Sequence, residues 1–446
     1  MISSARTGYN PRTLNAIFTV PVVLSALVTA AHFLRWGQPA IAAASLLAVS
    51  LLLVRRPWAR LSLFALLMAA AFCWLGTALD LLRARLAMGE SFFRMTAILA
   101  TVTAFVTASG ALLLTPFARR HFGGNGGWPQ FAAFLITAVL LGVIQRVVDP
   151  PLLLLERFVP GGGWAQILAL AVYAGFVSDG MSSPKRAPAW RRRVWLLFSA
   201  VFFGQLALGV LGLDRFLMSG DLHLPVPAMI IAGPIFRGEG LFMPILFAST
   251  AIVVGPAWCS HLCYIGAIDQ LAAGRGGRPS DLPRWTRHAR VAILILIVAA
   301  AIGLRAAGVP GLHAAALGLA FGLAGIGLMI AVSRRLGVMV HCVVWCPIGL
   351  AANLLGKISP FRITFNGDCN GCRACSLACR FDALRAEQID RREVGLTCTL
   401  CGDCLAACSR SALEYTFYGR ASRLARPAFV ALAVALHAVC LCVARI

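Results

Sequence analysis

From Cys369 to Cys408 the chain reads CNGCRACSLACRFDALRAEQIDRREVGLTCTLCGDCLAAC. The cysteines fall into two runs, Cys369, Cys372, Cys375, Cys379 and Cys398, Cys401, Cys404, Cys408, each spaced C-x2-C-x2-C-x3-C and related by an offset of 29 residues. Ala383–Leu384 recurs at the same offset as Ala412–Leu413. Three closely spaced thiolates wrap one face of an iron–sulfur cubane, and the fourth is carried by a following turn to the other cubane. The spacing therefore predicts two [4Fe–4S] clusters, one on Cys369, Cys372, Cys375 and Cys408, the other on Cys398, Cys401, Cys404 and Cys379. Gly371, Ala374, Gly402 and Ala406 are small enough for the backbone to approach sulfur and donate N–H bonds. Zinc also binds C-x2-C pairs, but gives no reason for the third cysteine of each run. The usual bacterial run ends in Cys-Pro. Here Arg380 and Ser409 follow the fourth cysteines, which leaves the local turn and the potentials open.

Upstream lie two further pairs, GPAWCSHLCYIG around Cys259 and Cys263, and HCVVWCPIG around Cys342 and Cys346, offset by 83 residues. Ile265–Gly266 and Leu271 recur as Ile348–Gly349 and Leu354. On a helix, positions i and i+4 share one face. The two pairs are expected to converge on one metal centre or to form redox-active thiols at the membrane boundary, with His261 and His341 beside them. The bland alternative is four small buried cysteines; duplication of the flanking residues favours function.

Hydrophobic residues make up 59% of the chain and charged residues only 13%, about half the share usual in a soluble domain. Eleven apolar stretches are long enough to be read as spans: about 14–34, 38–54, 60–81, 95–117, 129–148, 164–181, 194–213, 240–257, 290–308, 313–333 and 425–444. The polar start, Met1 to Arg12, leads into the first span with no small-residue cleavage site and is read as retained. The net charge of +23 is carried by short clusters between the spans, such as Arg55–Arg56, Arg119–Arg120, Lys185 to Arg193 and Arg334–Arg335. That is the positive-inside pattern of a bacterial inner-membrane protein, not the basic stripe of a nucleic-acid binder. With Arg6 and Arg12 inside, alternation puts residues 359–423 in the cytoplasm and the C-terminus in the periplasm; the loop near Arg83 breaks the bias. In such a compartment metal, rather than disulfides, explains the clustered cysteines. Leu222 to Phe236 is too short to span and carries three prolines. It is read as a re-entrant or interfacial piece beside a quinone or substrate pocket, or as a packed surface loop.

The stretches GPAWCSHLCYIGAIDQL and CVVWCPIGLAANLLGKISPFRITF resemble the membrane ferredoxins of the NapH and NosR type, over roughly residues 194–418. The resemblance implies paired C-x3-C-P motifs at membrane helices, a C-terminal two-cluster segment, and electron transfer from quinol, to a periplasmic partner or to a maturing metalloenzyme. Tyr264 stands where the first motif would have proline. No covalent-flavin (FMN) signature is found: Ser109–Gly110–Ala111 lacks the hydroxyl residue that should follow. The resemblance does not extend to residues 1–181.

The fold expected is an all-α polytopic membrane protein with an inserted small α+β ferredoxin-like domain. Its parts are an N-terminal transmembrane bundle (1–193), a core with both C-x3-C motifs (194–358), the cytoplasmic two-cluster domain (359–423) and a last transmembrane helix (424–446). The function expected is electron transport between quinol or a cytoplasmic donor and a redox partner protein, as a quinol dehydrogenase-like oxidoreductase component. The alternative is a maturation factor that reduces or delivers a metal, such as copper, to a periplasmic metalloenzyme, since soft thiolates select Cu(I). A redox-driven transporter would need polar residues within the first six spans, and few are there. His32, His223, His313 and His437 are candidates for haem or a quinol headgroup, with isolated hydrogen-bonded histidine as the plainer reading. Cys73, Cys440 and Cys442 are read as packing residues. Arg146, Asp149, Glu156 and Asp179 are read as snorkelling at span ends. Gly161–Gly163 opens a span without a preceding strand and is no phosphate loop.

Overall fold

The computed structural model describes residues 11–217 and 223–443 of the chain; the start of the chain with Arg6, and Leu222, lie outside the described residues. Among the described residues nine helices are long and apolar enough to cross a membrane: Ile17–Arg35, Pro57–Ala87, Phe93–Leu112, Trp128–Val147, Ala187–Val210, Phe242–Leu262, Thr286–Ala306, Gly311–Leu336 and Ala425–Val443. Their sequences are runs of Leu, Ala, Val and Ile. In lipid only a helix, or a closed barrel, satisfies such a segment's own backbone. Proline falls in the first turn of Pro57–Ala87, Trp128–Val147 and Ala187–Val210, where its missing N–H is not needed.

The two other expected spans take different forms. Residues Pro39–Leu53 make a short apolar helix that tightens into a 3-10 turn over Ala48–Leu53. Gly162–Gly180 is a helix of 19 residues, and Gln166, Ser178 and Asp179 make it less apolar than the nine.

The chain divides into two compact units, Met1–Phe176 and Val177–Ile446. In the first, Phe18, Val22, Trp58, Leu63, Val106 and Phe122 form a buried core between the helices. Arg60, 5% exposed, donates from Nη1 to the carbonyl of Leu113 at 3.1 Å.

The second unit holds fourteen of the fifteen cysteines. Two features shape it. The helix Phe242–Val254 continues through a 3-10 turn into a five-residue π-helical turn, Trp258–Leu262. The stretch after Gly311–Leu336 forms another such turn, His341–Trp345. Each π turn feeds a new helix, Tyr264–Gly274 or Pro347–Leu355.

The second feature is a three-stranded antiparallel sheet, β1 (Phe361–Phe365), β2 (Leu413–Phe417) and β3 (Arg420–Ala421), in the order β1-β2-β3. Phe361 pairs with Phe417 and Phe365 with Leu413. The ferredoxin-like segment is the insertion between β1 and β2. Alternation places Phe361, Ile363, Leu413 and Tyr415 inward. Phe429 of the helix Ala425–Val443 meets both Phe361 and Tyr415, so the last helix seats the sheet. The segment 223–237 runs extended and then forms a nine-residue helix, Met229–Arg237, that packs on Thr286–Ala306.

Candidate iron–sulfur sites

The two ferredoxin-like runs adopt one backbone pattern twice. Left-handed dihedrals occur at Gly371 and Leu400, at Arg373 and Gly402, and at Asp382 and Ser411, three pairs each separated by the same 29 residues. Each run turns into one short helix, Ala374–Ala378 or Asp403–Ala407. The fourth cysteine then accepts a backbone N–H: Ala383 donates to Cys379 Sγ at 3.4 Å and Ala412 to Cys408 Sγ at 3.2 Å. The recurring Ala-Leu pair thus begins at the residue that bonds sulfur. Cys379, Cys398, Cys401 and Cys404 line one cavity, closed by Ile363, Phe381, Ala383 and Leu384. Cys375 lies within electrostatic reach of Cys369 and Cys408, and Cys372 is exposed. One set is therefore enclosed and the other faces outward.

The C-x3-C motifs share a local structure as well. Cys259 and Cys342 are the second residues of their π turns. Cys263 and Cys346 are the N-cap residues of the next helices, at φ −91°, ψ 117° and φ −78°, ψ 118°. Tyr264 takes the place of Pro347 at the first helical position without altering that geometry. Its ring stacks on Phe202 at 3.7 Å, and its carbonyl accepts from Ser199 Oγ at 3.0 Å. The repeated Ile-Gly is explained by contact. A Cβ on Gly266 would meet the Cys259 carbonyl oxygen at 2.7 Å, and one on Gly349 would meet that of Cys342 at 2.4 Å. Only glycine lets the new helix return so close to its π turn. The four cysteines, from two segments far apart in sequence, line a single cavity with Pro227, Ile265, His341, Ile348 and Gly349.

These two cavities are neighbours. A third is lined by Cys259, Cys342 and Gly349 of the four-cysteine site and by Phe381 and Thr399, which also wall the enclosed ferredoxin-like set. Side chains bridge the same gap. Arg191 is fully buried; its Nη1 donates to the Ser260 carbonyl at 3.1 Å and its Nη2 to Asp403 Oδ2 at 2.8 Å. Ser260 Oγ donates to the Thr399 carbonyl at 2.9 Å. Arg380, the residue in place of the usual proline, donates from Nη1 to the carbonyls of Ala273 at 2.8 Å and Gly337 at 2.7 Å. Its own carbonyl accepts from Met339 N at 2.9 Å. The departure from Cys-Pro thus ties the ferredoxin-like segment to the ends of two helical stretches.

On another side the four-cysteine site adjoins an apolar cavity, lined among others by Phe203, Val226, Pro227, Phe321, Met329 and His341. Pro227, Ile265, His341 and Cys346 belong to both linings. His341 is 5% exposed, and neither ring nitrogen makes a hydrogen bond of good geometry within the protein. Burial pushes its pKa down to about 4, so the neutral ring offers one donor and one acceptor.

Three charged residues complete the surroundings. Asp269 is fully buried, and its Oδ2 accepts from Cys342 N at 3.0 Å. Burial, partly offset by hydrogen bonds from Ser333 and Cys342, pushes its carboxyl up to about 6. Arg290 is 5% exposed; its Nε and Nη2 have no protein partner, and it stands within electrostatic reach of Cys259 and Cys346. Arg191 is the third. Sequence spacing marks none of them, because their partners lie on other elements.

The other candidates are dispersed. His261 Nδ1 bonds Ser260 Oγ at 2.9 Å, and His437 Nδ1 bonds the His261 carbonyl at 2.9 Å; both are held by local polar partners. His32 lies in the first unit, 4.5 Å from the Trp74 ring and 3.4 Å from Thr77 Oγ1. Cys440 is buried beside Cys259 in an apolar cluster with Phe198 and Trp258. Cys73 is exposed in the first unit.

The donor sets suit iron–sulfur clusters. Burial pushes the Cys346, Cys379, Cys398 and Cys401 thiols up to about 12, so thiolates there need a cationic partner, which cluster iron supplies. Among the described residues no group of three or more His, Cys, Asp or Glu is placed to hold a single metal ion. A family model described as a 4Fe-4S binding domain matches residues 236–283 and 318–366. Each matched segment holds one C-x3-C pair, and the eight cysteines from Cys369 to Cys408 lie outside both. No curated protein and no solved structure matches the chain. The chain thus carries a 4Fe–4S binding domain, with several helices apolar enough for a membrane, and iron–sulfur electron transfer is the function this indicates.

Proposed function

We propose that this is a multi-pass protein of the bacterial inner membrane that conducts electrons between quinol and a redox partner protein, of the NapH and NosR type. Cys369, Cys372, Cys375 and Cys408 hold one [4Fe–4S] cluster, and Cys398, Cys401, Cys404 and Cys379 a second. Cys259, Cys263, Cys342 and Cys346 hold a third. When bound, such clusters supply one-electron transfer with no bond made or broken.

The observation that carries the reading is the shared walling of the sites. The apolar cavity, the four-cysteine site and the enclosed ferredoxin-like set adjoin one another in that order, and the outward-facing set has the exposed Cys372. A membrane end and a solvent end are what a conduit requires. The cavity has the apolar lining of a small-molecule site, and His341 offers its ring to a quinone oxygen. The segment 223–237 supplies Pro225, Val226, Pro227 and Ala228 to that lining, in keeping with a re-entrant piece beside a quinone pocket. The arginine clusters favour a cytoplasmic ferredoxin-like segment and a periplasmic C-terminus.

The copper-delivery alternative asks for thiols that close on one ion, and the placement of the four cysteines around a shared space favours a cluster instead. Iron and acid-labile sulfide in anaerobically purified protein test the reading, with electron paramagnetic resonance on the reduced sample. Three cubanes give about 12 iron per chain. About 8, unchanged when Cys259 and Cys342 are both replaced, would leave the four-cysteine site as thiols. Stoichiometric copper or zinc with little iron would overturn electron transfer.

A further inference from the structure

Arg191 occupies the position where two cysteine sets come together. One guanidinium nitrogen holds the carbonyl of Ser260, between Cys259 and Cys263; the other holds Asp403, between Cys401 and Cys404. One helical turn on, Trp195 Nε1 donates to the Cys263 carbonyl at 2.7 Å, and the Arg191 guanidinium sits 5.3 Å from the Trp195 ring centroid. The three contacts hold the guanidinium between the backbone of one cysteine motif and the carboxylate of the other. Its electrostatic reach extends to Cys401.

Stability alone does not account for this residue. A buried ion pair returns little net stability over an apolar pair of similar volume, and here it is incompletely satisfied: Arg191 Nε and Asp403 Oδ1 lack partners. What an apolar pair cannot supply is a fixed positive charge between two thiolate-rich sites. Adding an electron makes each site more negative. A cation held beside it favours the reduced form and raises the potential, and a carboxylate does the opposite.

We infer that Arg191 is the positioning residue for electron exchange between the four-cysteine centre and the enclosed ferredoxin-like cluster. Its charge raises both potentials together, and its two hydrogen bonds fix the approach of one site to the other. Asp403 trims the effect on the ferredoxin-like side. In the exchange one centre loses the electron that the other gains; no proton or bond moves. The inference rests on the reading that both sets hold iron–sulfur clusters.

The test is a redox titration of the purified full-length chain, followed by electron paramagnetic resonance at one pH, for the native protein and for Arg191→Gln, Arg191→Lys and Asp403→Asn. Arg191→Gln is expected to lower the midpoints of both neighbouring centres, by enough to change their reduced-to-oxidised ratio tenfold, or ~59 mV for one electron. The cluster on Cys369, Cys372, Cys375 and Cys408 should not move. Asp403→Asn is expected to raise the enclosed cluster, and Arg191→Lys to restore most of the native values. Unchanged midpoints in Arg191→Gln overturn the inference. So does a shift of all centres together, or a shift of the same sign in Arg191→Gln and Asp403→Asn, since loosened packing has no reason to follow charge. If Arg191→Gln fails to assemble, Arg191→Lys and Asp403→Asn decide: native-like midpoints in Arg191→Lys with a raised one in Asp403→Asn support it, and any other pattern overturns it. Iron near 8 per native chain would instead remove the third cluster, and the enclosed cluster's response to Arg191→Gln would still decide the role of the charge.

Discussion

The second unit contains two duplications, and they use cysteine in opposite ways. The ferredoxin-like runs are close in sequence and interleave: in the enclosed cavity, three cysteines of one run meet the fourth of the other. The C-x3-C motifs are distant in sequence, exchange nothing, and each contributes both of its cysteines to one cavity. The first arrangement is specified by short-range turns, with left-handed residues at matching places. The second is specified by packing, with a π turn, a cysteine N-cap and a glycine that lets the next helix close in. A site built from local turns tolerates an outward-facing edge. One built from helix packing brings buried charges with it.

The largest effect expected from this contrast is on iron content. Replacing Cys259 and Cys342 together by Ala should remove about 4 iron per chain and leave the other clusters. Replacing Cys404 should remove about the same number from the enclosed set and spare the four-cysteine site. Metal analysis of the two variants side by side reads both. Loss of all iron from either variant would mean that the sites assemble only as one, and the comparison would fail.

Buried charge gives the next effect. Arg290 has two guanidinium nitrogens without partners in the protein, and a thiolate-ligated cluster would supply the missing negative charge. Arg290→Met should therefore act with opposite sign in two states. It should stabilise iron-free protein by about 1–3 kcal/mol, and destabilise iron-loaded protein by about 3–5 kcal/mol, the usual penalty for a buried charge left alone. Denaturant unfolding of both forms measures it. A shift of the same sign in both would show that Arg290 is balanced by something other than the four-cysteine centre.

The glycines rank below that. Gly349→Ala puts a methyl 2.4 Å from a backbone oxygen that cannot swing away, and should cost about 1–3 kcal/mol as overpacking does. Gly371→Ala meets nothing within 4 Å but is held at φ +73°, a left-handed strain of about 1–2 kcal/mol. Thermal unfolding of the two separates packing from turn strain; the larger loss at Gly371 would reverse the account of which duplication depends on packing.

These residues differ in how readable they are from the chain. The ferredoxin-like cysteines stand out because their spacing is local, and so does the helical class, since long apolar runs in lipid have one main solution. The walls of the four-cysteine site do not stand out. Arg191 meets Asp403 across 212 positions, and no periodicity links such residues. Arg380 was visible as a break from Cys-Pro, but its use was not, since its partners Ala273 and Gly337 lie on other segments. Spans 38–54 and 164–181 rest on apolar content alone. Length limits the first, and the polar residues of Gly162–Gly180 limit the second. The glycines of the repeated Ile-Gly could be seen to recur, while the clash that requires them exists only after folding.

The smallest effect concerns the bond between the two duplications. Ser260 has one hydroxyl proton, and it goes to the Thr399 carbonyl at 2.9 Å. His261 Nδ1 lies 2.9 Å from the Ser260 hydroxyl oxygen. Ser260→Ala breaks both bonds, leaves the Thr399 carbonyl unpaired in a buried place, and should cost about 1–3 kcal/mol, near the lower end because the Arg191 bridge remains. Arg191 binds the Ser260 carbonyl, which the substitution keeps. Ser260→Ala should therefore lower the unfolding midpoint slightly and leave iron content unchanged. Thr399→Ala, which keeps its carbonyl, should do less. If Ser260→Ala costs as much as Arg290→Met does in iron-loaded protein, the contact between the two duplications rests on the Ser260 hydroxyl rather than on buried charge.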